Sequence, residues 1–130
     1  MSSISKHISL RVPANVIYRG LKDTRLEQLF PEFFIGITRR LTSNNDNDNN
    51  KANSKLQFTT TTHDSQIQIK EIFKLKVVQS NTTEIIYTTS TNITNDPVVG
   101  SIVSTHIANI LYALLMLETG YVNGLMERQR

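Results

Sequence analysis

Apolar and polar residues alternate along five segments of the chain, and this period of two predicts five β-strands, each with one buried face. The first segment covers residues 4–12 and ends at Pro13, and the second covers residues 34–41. Polar turns around residues 63–65 and 80–81 separate the last three strands, so consecutive strands are expected to pair as antiparallel hairpins. The expected inward rows of these three strands are Leu56, Phe58 and Thr60; Ile67, Ile69, Phe73, Leu75 and Val77; and Ile85, Tyr87 and Thr89.

Two short helices are predicted between the first and second strands. Asn15 is the expected N-cap of a helix that runs through Lys22. Thr24 and Glu27 have the spacing of a capping box, which predicts a second helix that stops at Pro31. This pair of helices is expected to close one end of the sheet.

A long C-terminal helix, residues 96–128, is predicted to begin with Asp96 as its cap and Pro97 in its first turn. From Pro97 to Leu117 the chain has no Asp, Glu, Lys or Arg, so by length this segment could cross a bilayer or close a large core. Its polar positions form a narrow stripe with spacings of three and four residues: Ser101, Thr105, Asn109, Tyr112, Met116, Thr119 and Asn123. The stripe favours a core helix over a membrane anchor, because the remaining circumference then forms one wide buried face: Val98, Val99, Ile102, Val103, Ile107, Ile110, Leu111, Leu114, Leu115, Leu117, Val122, Leu125 and Met126.

Residues 43–54 are almost entirely polar, and such a composition predicts a mobile loop between two strands. Asp46 and Asp48 have the spacing of calcium ligands. The turn glycine and the distal glutamate of a calcium loop are missing, so a calcium site is not expected.

Composition narrows the classes of function. With 130 residues the chain has room for one domain, residues 1–130. There is no cysteine, and the three histidines do not have the spacing of metal ligands, so we expect neither a metal nor another cofactor. The 14 basic and 11 acidic residues are scattered, which argues against a nucleic-acid partner. The N-terminal residues lack the apolar core of a signal sequence, so a cytoplasmic protein without stable membrane insertion is expected.

The N-terminal segment SLRVPANVIY, residues 9–18, followed by Leu21, Asp23, Leu29 and Phe30-Pro31, resembles the START-like (SRPBCC) helix-grip superfamily. This group includes polyketide cyclases and proteins of the birch-pollen-allergen type. The resemblance implies an α+β fold in which a curved antiparallel sheet wraps around the long C-terminal helix, with two short helices after the first strand. Members usually have six strands between the short helices and the final helix, whereas this chain offers four, so it would be a short, divergent member.

The resemblance also implies a cavity between the sheet and the long helix that holds an apolar small molecule, such as a lipid or an aromatic metabolite. Arg39 and Glu71 interrupt otherwise apolar inward rows. If both face inward they must pair with each other or with a ligand, whereas a bulge or strand end would turn them to water. Tyr87 could offer a hydroxyl or only pack. The candidate ligand-binding residues are Arg39, Phe58, Glu71, Phe73, Tyr87, Ile107, Leu111 and Leu114.

Candidate catalytic groups are few. His106 lies one position off the polar stripe, so a histidine at the helix surface or at an interface is favoured over a general base. No nucleophile with a nearby base can be found by spacing. A binding module for an apolar ligand is therefore the leading hypothesis. The alternatives are a protein-interaction or homodimerising domain with a filled cavity and, less favoured, an enzyme of the cyclase or hydratase type.

Overall fold

The computed structural model describes residues 3–23, 25–46, 53–62, 66–93 and 95–128. The strands in this part of the chain are β1 (Ser3–Leu10), β2 (Ile37–Asp46), β3 (Asn53–Thr62), β4 (Gln68–Gln79) and β5 (Thr82–Thr91). These five strands form one antiparallel sheet in the order β1-β5-β4-β3-β2. The predicted meander from β2 to β5 is confirmed, and β1 joins it by pairing with β5.

The helical elements are α1 (Ala14–Lys22), α2 (Arg25–Leu29), a 3-10 turn (Pro31–Phe34) and α3 (Pro97–Arg128). The predicted cap at Asn15 is wrong. The N-cap is Pro13, two residues earlier, because the carbonyl of Pro13 accepts hydrogen bonds from the N–H groups of Val16 and Ile17 at 3.1 and 3.3 Å. Thr24 lies outside the described residues, so the capping box with Glu27 stays a prediction.

The second strand begins later and ends later than its sequence pattern indicates. Gly36 has a φ of +79°, which is open to glycine and strained for other residues, and this turn delays the start of β2 to Ile37. At the other end β2 reaches Asp46 and β3 begins at Asn53, so the predicted loop over residues 43–54 is too long. Polar residues can continue an antiparallel ladder because the pairing uses the backbone. Asp48 lies outside the described residues.

The core lies between the sheet and α3. Asp96 accepts the N–H of Val98 at 2.9 Å, and Pro97 is the first helical residue, which confirms the predicted start of this helix. The buried residues of α3 recur at spacings of three and four, as expected of one packed face. They are Val99, Val103, His106, Ile107, Ile110, Ala113 and Leu114.

The buried face of α3 is narrower than predicted. The polar stripe lies on the solvent side, where Asn109 is half-buried and its other members are exposed, and Val98, Ile102 and Leu115 are exposed beside it. We call the polar stripe, which includes Tyr112 and Met116, together with Val98, Ile102 and Leu115 the outer face of α3. Five strands cover only one side of a helix, so the flanking apolar residues remain in contact with water. Residues Pro97–Gly124 are long and apolar enough to cross a membrane, but in this fold they pack lengthwise on the sheet.

Candidate functional site

A buried carboxylate lies at the centre of the interface between the sheet and α3. Glu71 stands in the middle of β4, where its register partners are Phe58 on β3 and Thr89 on β5. Its side chain is 0% exposed. Alternation along β4 places Ile69, Glu71 and Phe73 on the face that packs against α3, so the fold itself carries this charge into the core.

Four side chains from four different elements donate hydrogen bonds to Glu71. Its Oε2 accepts from Arg39 Nε at 3.2 Å and from the hydroxyl of Thr60. Its Oε1 accepts from the hydroxyl of Tyr87 and from His106 Nε2 at 3.0 Å. A carboxylate can accept about four such bonds, so Glu71 is fully satisfied, and His106 must carry a hydrogen on Nε2 because the carboxylate only accepts. We call these five residues the Glu71 cluster.

Arg39 links the Glu71 cluster to the short helices. Its side chain is only 2% exposed, and its Nη1 donates to Glu27 on α2. The guanidinium lies over the ring of Phe58, 4.4 Å from its centroid, and over Phe34 at 5.5 Å, which are cation–π distances. Its Nη2 is buried and has no hydrogen-bond partner among the described residues. Arg39 therefore keeps a donor available inside the core.

The electrostatics of the cluster favour the ionised pair. Burial alone would raise the pKa of Glu71, but the Arg39 guanidinium, His106 and the Thr60 hydroxyl lower that pKa to about 2. Burial lowers the pKa of Arg39, but the carboxylates of Glu71 and Glu27 outweigh it and raise that pKa. Burial and the neighbouring Glu71 charge raise the pKa of Tyr87 well above its usual value, so its phenol stays protonated and donates.

Five of the eight candidate ligand-binding residues predicted from the sequence lie together: Arg39, Phe58, Glu71, Phe73 and Tyr87. Arg39 and Glu71 both face inward, so the alternative of a bulge or strand end that turns them to water is wrong. The Tyr87 ring stacks on Phe73 with centroids 4.7 Å apart, and Phe73 meets Phe58 edge to face at 5.7 Å. From α3, Ile107 and Leu114 are buried and Leu111 is half-buried against the same core.

Three members of the site were not identified from the sequence. The expectation that His106 lies at the helix surface or an interface is wrong, because α3 turns this position toward Glu71. The sequence pattern places Thr60 in an inward row, and a hydroxyl in such a row is the signal that could have identified it. The pattern gives Glu27 a role only in a capping box, and in the structure its carboxylate binds Arg39. The contact between Glu27 and Arg39 depends on how α2 packs on the sheet, which no local pattern reveals.

Two cavities adjoin the described residues away from the centre of the Glu71 cluster. One, of about 160 Å³, lies between the end of β5 and the first turns of α3 and includes Thr89, Val99 and Val103 in its wall. The other, of about 800 Å³, is a polar concavity between α1 and the ends of β3 and β4, with Tyr18 and Arg19 in its wall. Neither is lined by the candidate ligand-binding residues.

Solved structures with this arrangement of elements exist in several organisms. A START superfamily protein from Mycobacterium smegmatis superposes with a TM-score of 0.56 at 12% identity, over 92% of this chain and 98% of that one. An aromatase/cyclase from Streptomyces sp. R1128 gives 0.55 at 10% identity, over 93% and 95%. A truncated norcoclaurine synthase from Thalictrum flavum gives 0.52 at 11% identity, over 89% and 92%.

The chain therefore has the START-like helix-grip fold, which confirms the fold class that the sequence indicates. No protein-family model and no curated protein sequence gives a significant match. Identities of 10–12% establish the fold alone. The chemistry of this chain must be argued from its own side chains.

Proposed function

We propose that this protein binds a small, mainly apolar molecule, such as a lipid or an aromatic metabolite, between its sheet and α3. The observation that carries the proposal is the buried Arg39–Glu71 pair, with the guanidinium nitrogen Nη2 left without a protein partner among the described residues. A buried ion pair is a costly way to stabilise a core, because apolar residues of similar size often do as well or better. A role in recognition gives such a pair a reason to be there.

The surroundings of Arg39 support a particular kind of ligand. Aromatic rings flank the guanidinium, and they favour flat, apolar groups over hydrated ones. The free Nη2 can donate to a carbonyl, hydroxyl or carboxylate oxygen at one end of such a molecule. An apolar site with a few placed polar groups is the usual composition of a small-molecule site.

The cluster favours binding over catalysis. Glu71 is already saturated with donors and its pKa is held near 2, so it is poorly suited to take a proton at neutral pH. Tyr87 is equally unsuited to lose one, because its pKa is raised. We infer that these groups hold fixed charges and dipoles in place.

The experiment that tests the proposal is thermal stabilisation by a panel of fatty acids, sterols and flavonoid-like aromatics. A ligand that binds only the folded state and is present at a concentration of about 100 times its Kd adds about 2.7 kcal/mol to the free energy of unfolding, which is easily measured as a rise in Tm. We expect at least one compound to raise the Tm of the wild-type protein. If none does, the proposal is wrong.

Two variants connect such a ligand to the site. Arg39→Met, compared with its own unliganded form, should lose the rise in Tm, because the buried donor is gone. Arg40→Met is the matched control, since Arg40 is the next residue on β2 and its side chain is exposed. An equal rise in both variants would remove Arg39 from the site.

We also infer that the protein acts in the cytoplasm. Its fold is START-like, and α3 packs one face of its apolar surface into the core of that fold, which supports a soluble protein. Imaging of a fluorescent fusion tests the location, and enrichment at a membrane would contradict it.

A second candidate function is self-association through the outer face of α3. Val98 is 67% exposed and Tyr112 51%, and the exposed positions from 98 to 116 carry no charge. An uncharged surface that combines apolar residues with Ser, Thr and Asn can match its own copy across a two-fold axis. This surface therefore favours a second copy of the chain as the occupant.

A further inference from the structure

The 160 Å³ cavity lies at one end of the interface between the sheet and α3. Its apolar wall comes from three different parts of the chain: Ile4 on β1, Ile93 after β5, and Val99 and Val103 on the first turns of α3. The walls are therefore held by the packing of the sheet against the helix. The cavity is open to solvent on one side, where Asn95, Asp96 and Ser104 in its wall are exposed.

Thr89 brings an unpaired polar group to this cavity. The residue is 1% exposed and lines the cavity, and its hydroxyl has no hydrogen-bond partner among the described residues. Leaving a buried hydroxyl unpaired costs about 1–3 kcal/mol. Other hydroxyls of β5 are paired, since Thr88 bonds with Ser5 and Thr91 donates to the carbonyl of Ile93. The hydroxyl of Thr89 is thus available to a molecule in the cavity.

Charge and size restrict what that molecule can be. No Lys, Arg or His lines the cavity within the described part of the chain, and Asp96 lies at its rim, so an anion would gain no counter-charge there. An apolar cavity of about 150 Å³ holds one benzene molecule, so this cavity accepts about one six-membered ring.

The cavity is adjacent to the Glu71 cluster. Thr89 is the register partner of Glu71 across β4 and β5, and both side chains are buried on the same face of the sheet. On α3, Val103 precedes His106 by one helical turn. Thr89 therefore stands between the cavity and the buried charges.

We propose that this cavity binds an uncharged molecule, or part of one, of about one six-membered ring that carries a single hydroxyl or carbonyl group. The polar group hydrogen-bonds with Thr89, and the ring packs between Ile93, Val99 and Val103. The inference rests on the proposed function, because the cavity lies at one end of the same interface, but it names a different contact residue and a smaller ligand class.

Phenol, benzene and benzoate are the probes that test it, because they share one ring and differ in the polar group. Their affinities are measured by NMR titration of the whole chain. We expect phenol to bind about tenfold more tightly than benzene, which is the value of one hydrogen bond of about 1–1.5 kcal/mol. Benzoate should bind more weakly than phenol. Equal affinities for phenol and benzene, or no binding of either, would overturn the proposal.

Thr89→Val is the decisive variant, because it keeps the shape of the side chain and removes only the hydroxyl. It should remove the preference for phenol over benzene, and it should not destabilise the unliganded protein, since the lost group had no partner. Thr88→Val is the matched control on the opposite face of β5 and should keep the preference. If Thr89→Val loses stability and phenol shows no preference, a bound water satisfies the hydroxyl and the proposal fails.

The two proposals can fail separately. A compound of the larger panel that depends on Arg39, combined with no preference for phenol, would leave the proposed function standing and remove the Thr89 site. A preference for phenol that depends on Thr89, with no panel compound bound, would leave the Thr89 site standing and remove the proposed function. Val103→Phe gives a further check, because a ring placed in the cavity should exclude phenol whatever its polar contact.

Discussion

Glu71 is a charged residue in an apolar core, and its contacts make that position stable. A lone ionised carboxylate in an apolar core would be too costly to keep. Here Arg39 supplies the opposite charge, and Thr60, Tyr87 and His106 supply the remaining donors. The carboxylate therefore holds strands β2 to β5 and α3 around one point.

Removal of Arg39 alone should be more damaging than removal of both charges. Arg39→Met should lower the free energy of unfolding by about 3–5 kcal/mol, because it leaves the Glu71 carboxylate without a counter-charge in the core. Glu71→Gln should cost less, because Arg39 keeps its ion pair with Glu27. The double variant should lie closer to the wild type than Arg39→Met, since the introduced amide keeps an oxygen that can accept from Tyr87 and His106. Urea unfolding measures all three. Additive losses would show that the two charges do not interact.

The pKa of Glu71 also predicts how stability depends on pH. The folded state holds this pKa at about 2, below its ordinary value of 4.5, so the unfolded state takes up the proton first as the pH falls. The contribution, on the order of 3 kcal/mol, is complete above pH 4.5 and is lost as the pH falls toward 2. The double variant Arg39→Met with Glu71→Gln should lack this component. Parallel stability curves for the wild type and the double variant between pH 2 and 4.5 would contradict it.

At the scale of elements, the alternation of apolar and polar residues predicted the strands, and the capping residues predicted the start of α3. The five strands, the cap at Asp96 and the position of Pro97 follow from local patterns because their causes are local. The length of β2 does not, because polar residues 43–46 pair through their backbone and carry no apolar signal. The inward orientation of His106 depends on which face of α3 meets the sheet, and a helix that is apolar on most sides leaves that open.

Replacement of two glycines by alanine should change the stability of the protein in opposite directions, because their backbone conformations differ. Gly36→Ala should destabilise the protein by about 1 kcal/mol, because its φ of +79° is strained for alanine. Gly120→Ala should stabilise it by about 0.5–1 kcal/mol, because Gly120 is inside α3 and a Cβ there meets no atom within 4 Å beyond the adjacent backbone of its own helix. Thermal unfolding measures both. Changes of the same sign would show that backbone conformation is not what distinguishes the two positions.

At the scale of the whole molecule, the sheet is too small to enclose α3. The packed side of the helix shares its core with the Glu71 cluster, and the other side is the exposed outer face. The sequence predicted a helix wrapped by a sheet. How many strands would reach around it, and so how much of the helix would stay in water, depended on tertiary contacts.

Self-association through the outer face of α3 is tested by light scattering over a range of concentrations. If two copies pair there, the mass should approach that of a dimer, and Ile102→Lys or Leu115→Lys should return it to that of a monomer, because a buried lysine would lack a partner. Gln79→Lys adds the same charge at the exposed end of β4 and should have no effect. A monomeric wild type at high concentration would exclude this mode of pairing.

The position of Arg39 on β2 has a dynamic consequence. In the described sheet β2 pairs only with β3, so it is an edge strand, and edge strands open more readily than central ones. Any local opening of β2 must separate Arg39 from Glu71 and leave that carboxylate without its counter-charge. The ion pair therefore stabilises the closed state of this edge, and it couples local opening of β2 to the charge state of the core.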